Sequence, residues 1–81
     1  MRGRVIKWER HREVSNSFNG LVEDQSKNWF SFKTFELLRA GYVNEDVRIG
    51  DLVEFDEGPQ RTGPRGRQVR CAINLEICTK R

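Results

Sequence analysis

The chain is poor in the side chains that most active sites are built from. Its 81 residues include a single histidine, His11, and two cysteines, Cys71 and Cys78, with no Cys-x-x-Cys pair, so a metal centre lacks its usual ligand pattern. No serine, cysteine or carboxylate stands at a recognisable spacing from a partner base, and His11 lies in a charged run without an orienting acid, which argues against an enzyme. No cofactor is implied. Cys71 and Cys78 are an odd number of residues apart in what reads as one strand, so they point to opposite faces and cannot bridge within it. They are expected as reduced thiols, one of them buried. No apolar run is long enough for a signal peptide or a membrane span, so a soluble, cytoplasmic protein without a membrane partner is expected. A chain this short reads as one domain, 1–81, with a small core.

Charge and aromatic rings are what the chain does have. A third of it is charged, 15 Lys and Arg against 12 Asp and Glu, and the net of +3 matters less than its layout. Arg2, Arg4, Lys7, Arg10 and Arg12 crowd the start, and Arg61, Arg65, Arg67 and Arg70 crowd a late stretch. Glu45, Asp46, Asp51, Glu54, Asp56 and Glu57 lie between them. Two basic segments around an acidic one allow a basic face, the electrostatic footprint of a nucleic-acid binder.

The run from Lys27 to Lys33 holds three aromatics, Trp29, Phe30 and Phe32. As a strand it puts Trp29, Ser31 and Lys33 on one face and Asn28, Phe30 and Phe32 on the other. One face is then buried, and the other shows an indole beside an ammonium, which suits a base stacked on the ring with its phosphate on the cation. Arg2 to Trp8 reads as a first strand ending in the same pairing, Lys7 and Trp8. Residues 9–17 read as a long loop, and Phe18 to Glu23 as a second strand whose Gly20 marks a bulge or a close approach. Thr34 to Ala40 is the one helical candidate, with Thr34 as its cap, Leu37 and Leu38 as its apolar side and Gly41 as its stop. A fourth strand covers Asp51 to Phe55, and a Gly-, Pro- and Arg-rich loop covers 57–67. In the last strand Val69, Cys71, Ile73, Leu75 and Ile77 alternate with polar or small residues, which predicts one inner and one outer face. The pattern is an all-β fold, a five-stranded antiparallel barrel of the oligonucleotide-binding (OB) type with one short helical turn after strand three.

On these residues the chain resembles the cold-shock domains. Gly3-Arg4-Val5-Ile6-Lys7-Trp8 looks like that family's opening Gly-Lys-Val-Lys-Trp-Phe, and Asn19-Gly20-Leu21-Val22 falls at the end of its first ribonucleoprotein motif, Gly-Phe-Gly-Phe-Ile. Asn28-Trp29-Phe30-Ser31-Phe32 is similar to the second motif, Val-Phe-Val-His-Phe. Ile49 to Phe55 resembles the fourth strand, and Gly66-Arg67-Gln68-Val69 resembles the Gly-Pro-Gln-Ala that enters the fifth. The resemblance implies binding of single-stranded RNA or DNA. It places Trp29 on a stacking aromatic of the second motif, Phe32 on the aromatic that closes it, Trp8 on the family's phenylalanine and Lys7 where the family has tryptophan. It also exposes departures. Asn19 and Leu21 replace both aromatics of the first motif, Phe18 replaces its glycine, and Ser31 replaces the histidine of the second. A one-residue register shift would bring Phe18 to the outer face in compensation.

The expected function is therefore single-strand binding without catalysis. Bases would stack on Trp8, Phe18, Trp29 and Phe32, and phosphates would meet Arg4, Lys7, Lys33, Arg65 and Arg67. The alternative is a barrel of the same kind that has lost its stacking face and binds a protein partner as an adaptor or inhibitor.

Overall fold

In the computed structural model, which describes residues 1–79, strands form where β-branched and aromatic residues cluster. The elements are β1 (Arg2–Arg10), β2 (Phe18–Asp24), β3 (Trp29–Lys33), α1 (Thr34–Arg39), a 3-10 turn at Asn44–Asp46, β4 (Leu52–Thr62) and β5 (Gln68–Ile77). They close into a barrel in the order β1-β2-β3-β5-β4, with β4 returning to β1 through Arg2↔Glu54, Gly3↔Val53 and Arg4↔Leu52. This is the OB-type barrel that the pattern predicts, with one correction. The sheet is mixed, because β3 and β5 pair in parallel at Ser31↔Cys71. Directions cannot alternate all the way round a closed ring with an odd number of strands, so one neighbouring pair has to run the same way.

Val5, Val22, Phe30, Phe32, Leu37, Val47, Val53, Phe55, Ala72 and Leu75 fill the interior. In β3 the expected division holds, with Phe30 and Phe32 buried and Trp29 and Lys33 exposed. In β5 it holds only in part. Asn74 takes a left-handed conformation (φ 53°) where the pairing with β4 slips between Glu54 and Asp56, a bulge that turns the strand's faces over. Leu75 and Ala72 consequently face the core, while Cys71 and Ile73 look outward and meet α1. Both thiols are free, Cys71 buried and Cys78 partly so.

The stretch 57–67 is mostly not a loop. β4 continues through it and pairs with β5 at Glu57↔Ala72, Gly58↔Cys71, Arg61↔Val69 and Thr62↔Gln68, forming a two-stranded arm closed by a tight turn at Pro64–Gly66. Pro59 is tolerated because it sits in the register shift between Gly58 and Arg61, where no ladder donor is required of it. β1 likewise runs on to Arg10, which shortens the first loop.

The N-cap of α1 is Lys33, not Thr34. The Lys33 amide donates to Glu36 Oε2 (2.9 Å), while Thr34 Oγ1 accepts from the Phe18 amide (2.8 Å) and donates to Asn44 Oδ1 (2.6 Å). Leu37 is buried and Leu38 is exposed, since neighbours on a helix point about 100° apart. Gly41 (φ 90°) follows the last turn, as expected.

The β2–β3 turn is held by Asp24, whose Oδ1 accepts from the amides of Ser26 (2.9 Å) and Asn28 (2.8 Å). The bond from the Asn28 amide is the main cause that lowers the Asp24 carboxyl below its ordinary value. A carboxyl lowered in the folded state stabilises the fold above its unfolded pKa, and that contribution is lost as pH falls through the folded value. Thermal unfolding midpoints of the wild type are therefore expected to drop on acidification below about pH 4, and those of Asp24→Asn to drop less. Melting both proteins across that range by circular dichroism is the check, and parallel curves would count against the assignment.

Candidate functional site

Register alone builds the outer surface of β1–β3. Directly paired residues share a face, so Arg4–Glu23–Trp29, Lys7–Leu21–Ser31 and Glu9–Asn19–Lys33 form three rows across the outside of the barrel. Val5–Val22–Phe30 and Trp8–Gly20–Phe32 form the matching rows inside. Val5 and Trp8 can both face inward only because β1 carries a bulge between Val5 and Lys7, which makes Ile6 the extra residue.

The register corrects part of the sequence-based assignment. Trp8, Phe18 and Phe32 do not belong to the outer face. Phe32 is 1% exposed, and its ring stacks on the Trp8 indole with centroids 5.1 Å apart at 8°. Phe18 stacks on the same indole at 5.1 Å and 17°. β2 pairs with β3 without slippage, so the register shift that would have carried Phe18 outward does not occur. The Arg10 guanidinium lies 5.7 Å above the Phe18 ring, and Trp8 Nε1 donates to the Asn44 carbonyl (3.2 Å). The three rings stack at one end of the barrel: Phe32 belongs to the core, Trp8 packs half-buried against it, and Phe18 covers Trp8 half-buried.

Gly20 is explained by the same stack. A Cβ there would lie 2.6 Å from Phe32 Cζ and 2.7 Å from Trp8 Cε3, so the glycine marks a close approach and the strand itself is unbroken. Gly20→Ala is expected to destabilise by about 1–3 kcal/mol, as overpacking does, and to weaken the near-ultraviolet dichroism of the stacked rings. Urea unfolding of the two proteins measures it.

Trp29 remains as the one aromatic of the outer rows. It is 57% exposed, and its Nε1 donates to Glu23 Oε2 (2.9 Å), which fixes the indole edge and leaves the ring accessible. Lys27 Nζ lies 3.5 Å from Glu23 Oε1 and offsets that carboxylate. Arg4 is held over the same end by its bond to the Gly50 carbonyl (3.0 Å). Lys7 lies 3.6 Å from Glu9, an exposed pair of little energetic weight. Lys33 is exposed and has no ion pair among the described residues.

The basic arm adds to this face at one end. Because β5 runs parallel to β3 with Cys71 level with Ser31, Val69 comes level with Trp29, and the turn bearing Arg65 and Arg67 extends past it. Arg65 takes a left-handed conformation there (φ 61°), and both arginines are exposed. Arg70, which the sequence reading left out of the site, lies at the same edge, its guanidinium 6.0 Å from the Phe30 ring. At the opposite end the last residue of β1, Arg10, and His11 and Arg12 of the first loop surround an open depression next to Asn19. His11 Nδ1 accepts from the amides of Glu13 (3.1 Å) and Val14 (3.2 Å), so that ring nitrogen holds the loop in shape.

Comparison with protein-family models, curated proteins and solved structures returned no match. The geometry therefore carries the argument. Of the sequence-assigned residues, Arg4, Lys7, Trp29 and Lys33 share one surface, Arg65 and Arg67 extend it, Phe32 is buried, and Trp8 and Phe18 are half-buried in the stack beside it. Leu21 and Ser31 lie between the cations on that surface. Among the described residues no group of His, Cys, Asp and Glu is placed to hold a metal ion, and no helix is long and apolar enough to cross a membrane.

Proposed function

We propose that the protein binds single-stranded RNA or DNA across the outer face of β1–β3, without catalysis. The observation that carries this reading is the exposed Trp29 ring, pinned by its edge to Glu23 and placed among Arg4, Lys7 and Lys33 with a basic arm beyond it. A base stacks on the indole, and the backbone runs from the Arg65 and Arg67 turn past Lys7 toward Lys33 and the first loop. With a single aromatic platform, phosphate neutralisation contributes more of the affinity than stacking does. Such a binder is salt-sensitive and weakly selective for sequence. The cold-shock-like arrangement of motifs supports the same reading, and His11, whose Nδ1 is engaged as a turn acceptor, supports a non-enzymatic role.

The test is a tryptophan-fluorescence titration with oligothymidine and oligouridine at several salt concentrations. Quenching is expected at low salt, with log affinity falling linearly against log salt by roughly 0.7 per phosphate neutralised. Lys7→Ala and Lys33→Ala are each expected to make that slope shallower. Absence of quenching by either oligomer at low salt would overturn the reading and leave the protein-binding alternative.

A further inference from the structure

A second surface lies where the bulge in β5 turns Cys71 and Ile73 outward. Between them and α1 is a cleft of about 500 Å3 whose lining includes Phe35, Glu36, Arg39, Arg61, Cys71 and Ile73. Phe35 is 60% exposed, and Leu38, one turn further along the same side of the helix, is 58% exposed. Neither serves the core nor the outer face of β1–β3.

The charges around the cleft are also unequal. Among the described lining residues Glu36 supplies the only carboxylate, and that group is already engaged. It is 4% exposed, accepts from the Lys33 amide and forms an ion pair with Arg61. Asp56, just outside the lining, accepts from Asn74 Nδ2 (3.0 Å). Arg39 stands at the rim with its guanidinium 5.3 Å from the Phe35 ring. Since Glu36 and Arg61 offset one another, the cleft joins an apolar floor to one net cation, Arg39.

We propose that this cleft docks an acidic peptide segment of a partner protein. An aromatic or leucine side chain of the segment is buried against Phe35 and Ile73, and a neighbouring carboxylate meets Arg39. Leu38 lies outside the cleft lining, so the apolar surface continues further than a cleft-filling small molecule would cover. A nucleobase is the poorer occupant, because the apolar strip toward Leu38 offers nothing to a phosphate. The cleft borders the Trp29 face through the Ser31–Cys71 pair, but Phe35, Arg39 and Ile73 are none of the residues assigned to the nucleic acid, so the proposal stands or falls independently of that one.

A library of random peptides displayed on phage, selected on the purified 81-residue chain, tests the proposal. Peptides with an aromatic or leucine flanked by aspartate or glutamate are expected to be enriched. Synthetic copies of them, labelled for fluorescence anisotropy, are expected to lose about tenfold or more in affinity for Phe35→Ser and for Arg39→Glu, and none for Trp29→Ala. Both altered residues are exposed, and circular dichroism confirms that the variants fold. No enrichment, enriched peptides that bind both variants as well as the wild type, or displacement of the peptide by oligothymidine whose own affinity falls in Phe35→Ser would each overturn it.

Discussion

Phe32→Ala is expected to cost about 3–5 kcal/mol of stability, as phenylalanine truncations in well-packed cores do. Phe32 is 1% exposed, and its ring is the inner support of Trp8, so its loss opens a void beneath the stack as well as removing buried surface. Domains of this size often have only about 5–15 kcal/mol in total, so the variant should unfold at much lower urea and at lower temperature. The experiment also separates two roles for the residue. If Phe32 were a stacking platform for bases, its removal would weaken oligonucleotide binding and leave the fold intact. In the barrel seen here the reverse is expected, with a large fall in stability and, at temperatures where the variant remains folded, nearly unchanged affinity.

Trp29→Ala is expected to do the opposite. The ring is more than half exposed and its one hydrogen bond is at the surface, so stability should change by no more than about 1 kcal/mol. Stacking of one base on an aromatic is worth about 1–3 kcal/mol, so affinity for oligothymidine should fall by roughly 5- to 150-fold. Quenching should vanish with it, since Trp8, the other tryptophan, is packed between core and loop. The complementary change is Leu21→Phe, which puts a second ring in the row beside Lys7 and Ser31 and is expected to tighten binding. An affinity unchanged by Trp29→Ala would mean that phosphate contacts alone hold the strand.

The contrast between these variants shows what the sequence made legible. Alternation in the Trp29 to Lys33 strand is strict, and reading it by period two put the right residues inside and outside. The helix after strand three was visible from its Leu37 and Gly41, and a five-stranded barrel followed from the number and spacing of the strands. Faces were misread where an inserted residue broke the period. The Ile6 bulge brings Trp8 inward, and the Asn74 bulge divides the apolar side of the last strand between the core and the helix. Neither position carries a glycine or proline to announce the break. Conversely, Gly58 and Pro59 look like loop residues, yet they lie in a β-arm because the bulge between Gly58 and Arg61 absorbs them. The cap of α1 was displaced for a similar reason. Thr34 has the right chemistry for capping, but its hydroxyl is taken by the Phe18 amide and Asn44, contacts that exist only once the barrel has closed.

The most direct measurement is an amide and indole chemical-shift titration of the isotopically labelled protein with oligothymidine at low salt. Shifts are expected at Lys7, Leu21, Ser31 and Lys33, at the Trp29 indole N–H and at the Arg65 and Arg67 turn, with the Trp8 indole and the Phe32 amide left almost unmoved. An absence of shifts, or shifts confined to α1 and the cleft beside it, would contradict the assignment of the β1–β3 face as the strand-binding surface.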